Sequence, residues 1–178
     1  ILKILKKYRI KKLLDFGCND CYLNYFLNKN IKYHGVDTNK ELMKNKKKYS
    51  NQFRLIKKKI PFRNTYFDCV IMSHVFAHLA KPDFWISEVS KKLKNNGLLI
   101  IITPNKHYKF FYFFFNIFNN YMPDITISKH YSKDEIEKKL LFNKWTIIKS
   151  FSYSIKGNKI ISSILNSRCI IIAQKINK

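Results

Sequence analysis

The stretch that decides the fold is Lys12-Leu13-Leu14-Asp15-Phe16-Gly17-Cys18-Asn19-Asp20. It reads as a short buried strand that runs into a glycine turn and then a helix over 20–29, where Leu23, Phe26 and Leu27 fall at helical spacing. Backbone N–H groups at such a turn receive an anionic or polar ligand group. About 20 residues on, a second strand, Lys32-Tyr33-His34-Gly35-Val36-Asp37, ends in an acidic side chain. A carboxylate at that place accepts from both ribose hydroxyls of a nucleotide-like cofactor.

Working outward, a helical segment over 2–14 leads into the first strand. A lysine-rich helix follows over 39–49, then strands over 53–56 and 67–73. Trp85, Val89 and Leu93 form a helical stripe that Asn95-Asn96-Gly97 ends, and Leu98 to Ile102 is an apolar run suited to a doubly covered central strand. Ser132-Lys133-Asp134-Glu135 is a capping box before Ile136, Leu140 and Leu141. Two β-rich runs, 145–151 and 168–174, would close the sheet as an antiparallel pair. Alternation of strands and helices predicts an α/β fold on a parallel sheet.

Composition narrows the class. At 178 residues and 46% hydrophobic, the chain suits a single domain with a real core, over 1–178. Four cysteines, at 18, 21, 69 and 169, are too unevenly spaced for a disulfide framework, so a reducing, cytoplasmic setting is expected. No apolar run reaches the roughly 20 residues of a membrane span, and no signal peptide is evident. The chain starts at Ile1, which leaves room for further N-terminal sequence.

The net charge of +24 points toward nucleic acid or an anionic membrane surface. Only four of the 35 basic residues are arginine, namely Arg9, Arg54, Arg63 and Arg168. Arginine is the side chain of bidentate phosphate recognition, so a lysine-dominated surface weakens the nucleic-acid reading.

The motifs continue in order. Ile60-Pro61-Phe62 and Tyr66-Phe67-Asp68-Cys69-Val70-Ile71 precede Ser73-His74-Val75-Phe76-Ala77-His78, and Lys92 to Asn105 supplies helix end, glycine turn and strand. Together these resemble the class I S-adenosylmethionine-dependent methyltransferases over roughly 12–151. The resemblance implies a Rossmann-like methyltransferase fold: a mostly parallel seven-stranded sheet with an antiparallel last strand and helices on both faces. It implies S-adenosylmethionine as cofactor, held by Asp15, Phe16, Gly17, Cys18, Asn19, Asp37, Thr38 and Ser73. The family's second glycine is Asn19 here, a residue that tolerates left-handed backbone. Cys21 stands at its third small position, and Lys57-Lys58-Lys59 where many members place an acidic residue.

His74 and His78 follow the fourth strand and are the candidate catalytic bases, with a packing role as the competing reading for each. The residues 106–131, rich in Phe110, Phe111, Phe113, Phe114 and Phe115, form a candidate lid or substrate-binding insertion. Because the run is apolar on all sides, it is either buried or in contact with something greasy. The substrate-contact candidates are His74, Phe110, Phe114 and His130. The reading is methyl transfer to an oxygen or carbon of a small-molecule or lipid-like acceptor, with peripheral membrane contact through the lysines as an added expectation. The alternatives are an RNA methyltransferase and a catalytically silent S-adenosylmethionine-fold binding module. Cys18-x-x-Cys21 has competing redox and zinc readings, against which no second cysteine pair exists, so no metal is expected. Oligomeric state is not legible in the sequence.

Overall fold

The computed structural model describes residues 1–41, 53–104, 126–153 and 168–176. Its elements run α1 (Leu2–Lys7), β1 (Lys12–Phe16), β2 (Lys32–Asp37), β3 (Phe53–Leu55), β4 (Phe67–Ser73), α2 (Pro82–Lys92), β5 (Leu93–Pro104), α3 (Lys133–Phe142), β6 (Trp145–Tyr153) and β7 (Arg168–Lys175). Short 3₁₀ turns stand at Tyr22–Phe26 and Phe76–His78.

The seven strands form one sheet in the order β3-β2-β1-β4-β5-β7-β6. Strands β1 to β5 pair in parallel, and β7 runs antiparallel to both β5 and β6. Chain direction across the sheet reverses at β1, which has β2 on one side and β4 on the other. In open α/β sheets the crevice beyond the strand ends at such a reversal is where ligands bind.

The pleat sends alternate side chains to opposite faces. Leu14, Phe16, Val70, Met72, Leu99 and Ile101 build one layer with Ile86 and Val89 of α2 and Ile136 and Leu140 of α3. Leu13, Cys69, Ile71, Leu98, Ile100 and Ile102 build the other with Leu5 of α1. The run Leu98 to Ile102 is buried throughout because both faces are covered. The capping box holds α3 in place: Glu135 N donates to Ser132 Oγ (3.2 Å), and Ser132 N donates to Glu135 Oε2 (2.7 Å).

The structure corrects three sequence expectations. The helix predicted over 20–29 is only the 3₁₀ turn Tyr22–Phe26. Cys21, with φ 57°, breaks the helical path in front of it, and Leu27 leaves it in an extended conformation. Asn28 then closes a turn of its own, its Oδ1 accepting from Asn30 N at 2.9 Å, a local bond that competes with helix continuation. Tyr22, Tyr25 and Phe26 are consequently exposed.

Next, α1 ends at Lys7, well short of β1. Finally, β5 starts at Leu93 directly after α2, so Asn95-Asn96-Gly97 lies inside an irregular strand start rather than at a helix end. Asn96, at φ 59°, allows the register to jump from the Phe67–Leu93 pair to the Cys69–Leu98 pair. The helix predicted over 39–49 lies outside the described residues beyond Glu41, and so does most of the insertion 106–131.

Candidate functional site

A cavity of about 590 Å³ opens at the β1 switch point, beyond the strand ends. Its floor is the β1 turn: Phe16 and Gly17, with Asp37, Thr38 and Asn39 from the end of β2 and Ile56 after β3. Val75, His78, Leu79 and Ala80 close it from the β4 side, with Trp85 and Thr126. A larger groove of about 1180 Å³ lies by Ser90, Asn95, Trp145 and Lys175 at the opposite strand ends, away from the switch point. The first cavity is the candidate site on position and chemistry.

Gly17 makes the floor. It adopts φ +75°, and a Cβ built there would stand 2.1 Å from Val75 Cγ2, so the turn and the β4 loop approach as only glycine allows. Gly17 N and Cys18 N both donate to Val36 O, at 2.7 and 3.1 Å, which locks the turn onto β2. Asn19 takes φ 44°, the left-handed conformation expected of it.

Asp37 ties the two strand ends together. Its Oδ2 accepts from Asn19 N and its Oδ1 from Asn39 N, each at 2.9 Å. A carboxylate offers about four acceptor sites, so two backbone bonds leave capacity on both oxygens for a pair of hydroxyls. The glycine cradle, this half-buried carboxylate and the apolar walls of Ile56 and Trp85 suit a nucleoside that carries a polar tail. S-adenosylmethionine fits that description. Trp85 packs edge-on to Phe16, with ring centroids 5.3 Å apart.

Of the sequence-predicted cofactor residues, Phe16, Gly17, Asp37 and Thr38 line the cavity, and so does the catalytic candidate His78. Asp15 does not. It faces the other layer, 5% exposed, where its Oδ2 accepts from Tyr33 Oη at 2.8 Å. Burial pushes its carboxyl up to about 6, against the opposing pull of the Tyr33 hydrogen bond. Cys18 and Cys21 pack beside it with their Sγ atoms 3.5 Å apart, both as free thiols. Among the described residues no group of three His, Cys, Asp or Glu side chains is arranged to hold a metal ion.

Ser73 ends β4, half-buried, outside the cavity wall. His74 follows it at φ 58°, its N–H donating to Ile102 O at 2.7 Å. Burial lowers the His74 pKa, and the charges of Arg168 and His78 add to the effect, so its imidazole is neutral and able to accept a proton. The His78 Nδ1 lies 2.9 Å from Thr126 Oγ1. Ser128 N and Lys129 N both donate to Ala77 O, and Ser128 Oγ donates to His78 O, so the segment 126–130 straps the 76–78 turn. His130 is half-buried on that strap. Phe110 and Phe114 lie outside the described residues.

Sequence reasoning missed Ile56, Val75, Leu79 and Trp85 as cavity walls and Thr126 as the partner of His78. Trp85 was legible only as part of a helical stripe, since periodicity identifies the buried face and not what that face covers.

The architecture and strand order are those of the Rossmann-like methyltransferase fold. Residues 14–99 match the family model described as "Methyltransferase domain". A curated relative, the ubiquinone biosynthesis O-methyltransferase of Pelagibacter ubique, is 27% identical over 126 residues, covering 62% of this chain and 52% of its own length. The chain thus spans about half the length of that relative. Among solved structures, a SAM-dependent methyltransferase from Methanosarcina mazei superposes with a TM-score of 0.74 at 16% identity, covering 100% of this chain and 99% of the other. One from Archaeoglobus fulgidus superposes with a TM-score of 0.68 at 20% identity, covering 97% and 92%.

Proposed function

We propose that the chain is an S-adenosylmethionine-dependent methyltransferase that transfers a methyl group to an oxygen of a small, lipid-like acceptor. The observation that carries the cofactor half of this reading is the cavity in which the Gly17 turn and the Asp37 carboxylate meet. Asp37 would take the ribose hydroxyls, Gly17 would let the backbone approach the polar tail, and Ile56 and Trp85 would flank the flat base. Bound there, S-adenosylmethionine supplies a methyl group already activated on a sulfonium.

What remains for the protein is placement and a proton acceptor, because in-line positioning carries most of such a reaction. His74 is the favoured base. It is held at the β4 end by the Ile102 bond, and burial keeps it neutral. His78 lines the cavity itself, oriented by Thr126. The lipid-like acceptor is supported by two observations: the phenylalanine-rich insertion in the sequence, and the quinone-pathway O-methyltransferase name of the 27%-identical relative. Peripheral membrane contact goes with that acceptor. Among the described residues no helix is long and apolar enough to cross a membrane.

Methyl incorporation from labelled S-adenosylmethionine into a catechol bearing a short prenyl tail tests the reading. The proposal expects transfer in the wild type and, for His74→Ala, a loss of about 100-fold or more in kcat with cofactor affinity nearly unchanged. Unchanged kcat in His74→Ala removes His74 as base. Transfer to RNA with none to oxygen acceptors of this type overturns the acceptor class.

A further inference from the structure

A further pocket, of about 490 Å³, lies between the β2–β3 edge of the sheet and the segment 59–66, and shares no lining residue with the cofactor cavity. Its wall carries five cations: Lys32, Arg54, Lys59, Arg63 and Lys92. Two of the chain's four arginines are therefore in this one place, although lysine outnumbers arginine many times over in the whole sequence. Among the described residues, none of the five has a carboxylate within ion-pair distance.

The surroundings hold these cations in position. Arg54 Nη1 donates to Pro61 O at 2.8 Å, and its guanidinium sits 4.4 Å from the centre of the Phe62 ring. Arg63 lies 4.9 Å over Tyr66. Ring and carbonyl contacts orient a guanidinium fork while leaving most of its five donors unused.

Lys92 is the more telling case, because only 7% of it is exposed. Its Nζ donates to the neutral Asn64 Oδ1 at 2.9 Å, while Glu88, one turn back on α2, gives its Oε1 to Lys91 and acts on Lys92 only through the longer-range field, without an ion pair. A buried ammonium with no carboxylate in direct contact is costly. His34, 9% exposed and ringed by Phe62, Tyr66 and Phe67, adds a buried Nε2 with no hydrogen-bond partner.

We propose that this pocket is an oxyanion site that takes a phosphoryl group, separate from the cofactor cavity. A phosphoryl dianion offers several acceptor oxygens to two oriented guanidinium forks and gives the buried Lys92 ammonium a direct anionic partner. A single carboxylate would leave most of the five cations uncompensated. The His34 imidazole reports on the same field: burial, then Lys32, Arg54 and Lys12, hold its pKa down to about 4. An anion in the pocket would raise it.

Calorimetric titration of the full chain with inorganic pyrophosphate, at constant ionic strength, tests the site. One saturable event is expected, weakened at least tenfold in Arg54→Gln/Arg63→Gln. Lys3→Gln/Lys6→Gln, on the exposed face of α1, removes the same charge and should change affinity less than twofold. Arg54→Lys/Arg63→Lys retains charge and loses the forks, so it should bind more weakly than the wild type, with an unchanged unfolding midpoint. Absence of a saturable event, or equal weakening by the α1 pair, overturns the proposal. So does a His34 ring proton resonance that stays in place when pyrophosphate is added to the wild type, a readout that needs no variant to fold. Competition then separates the sources. Displacement by glycerol 3-phosphate and not by a ten-nucleotide single-stranded RNA identifies a small phosphate ester; displacement by the RNA at lower concentration identifies a nucleic-acid backbone. Displacement by neither overturns the assignment.

Discussion

Replacing Gly17 by alanine probes the turn on which the cofactor reading rests, and its cost can be worked in two parts. The first is conformational: Gly17 sits at φ +75°, where an L-residue costs about 1–2 kcal/mol. The second is steric: the new Cβ would stand 2.1 Å from Val75 Cγ2, and relief by side-chain or backbone shifts costs about 1–3 kcal/mol. Together they predict a loss of about 2–5 kcal/mol. Chemical denaturation measures it. The two parts separate in a double-mutant cycle, because Val75→Ala removes the atom that clashes and leaves φ alone. In the Val75→Ala background, where only the Cβ of residue 75 stays close, at 3.1 Å, Gly17→Ala should cost mainly the conformational part, about 1–2 kcal/mol. Cofactor affinity should fall in both glycine variants, since the floor of the cavity moves. An identical cost in the two backgrounds, or a cost under about 0.5 kcal/mol, the scatter typical of neutral surface changes, would refute the close approach of the β1 turn and the β4 loop.

The titrations of Asp15 and His34 oppose each other. Asp15 has a folded pKa of about 6, raised above its ordinary 3.8, so its contribution is fully present below 3.8 and lost as pH rises through 6. Asp15→Asn should therefore raise stability at pH 8 by about 2–3 kcal/mol, fading toward pH 4, as read by denaturant titration at several pH values. His34 is depressed from 6.5 to about 4, so its contribution is present above 6.5 and lost as pH falls toward 4. His34→Phe should flatten the acid limb of the same profile, and an unchanged limb would show that His34 titrates normally. Ser132→Ala removes the hydroxyl half of the α3 capping box and should lower stability by about 1 kcal/mol, measured as a fall in the unfolding midpoint.

What could be read from the sequence follows the physics of each element. The run Leu98 to Ile102 is apolar at every position because both faces of its strand are covered, so it declared itself. Strands β2 and β4 were legible to the residue, since a turn or an acidic strand end bounds each of them. The segment after Gly17 was not, because Leu23, Phe26 and Leu27 mimic a helical stripe while the left-handed Cys21 and the local Asn28 turn override it.

The site divides in the same way. Asp37 was identifiable from its place at a strand end, and the structure puts it in the cavity wall. Asp15 lies inside β1, paired with Gly35 and two residues short of the level of Asp37, so it stays buried within the sheet, where Tyr33 covers it. Depth along the strand decides such a case, and the motif alone does not display it. Thr126 reaches His78 across 48 positions of sequence. No local pattern encodes that contact. The cationic pocket was likewise hidden in a chain so rich in lysine that its overall charge says little about any one patch.

The central claim is that the Gly17–Asp37 cavity holds S-adenosylmethionine, and equilibrium calorimetry of the purified chain with that compound tests it most directly. The account predicts one molecule bound per chain. It also predicts that Asp37→Asn, which keeps an oxygen for a backbone N–H and loses the charge, weakens binding by about 10- to 100-fold, the size of one charged hydrogen bond of about 1.5–3 kcal/mol. An absence of binding by the wild type, or equal affinity in Asp37→Asn with the fold intact, would contradict it.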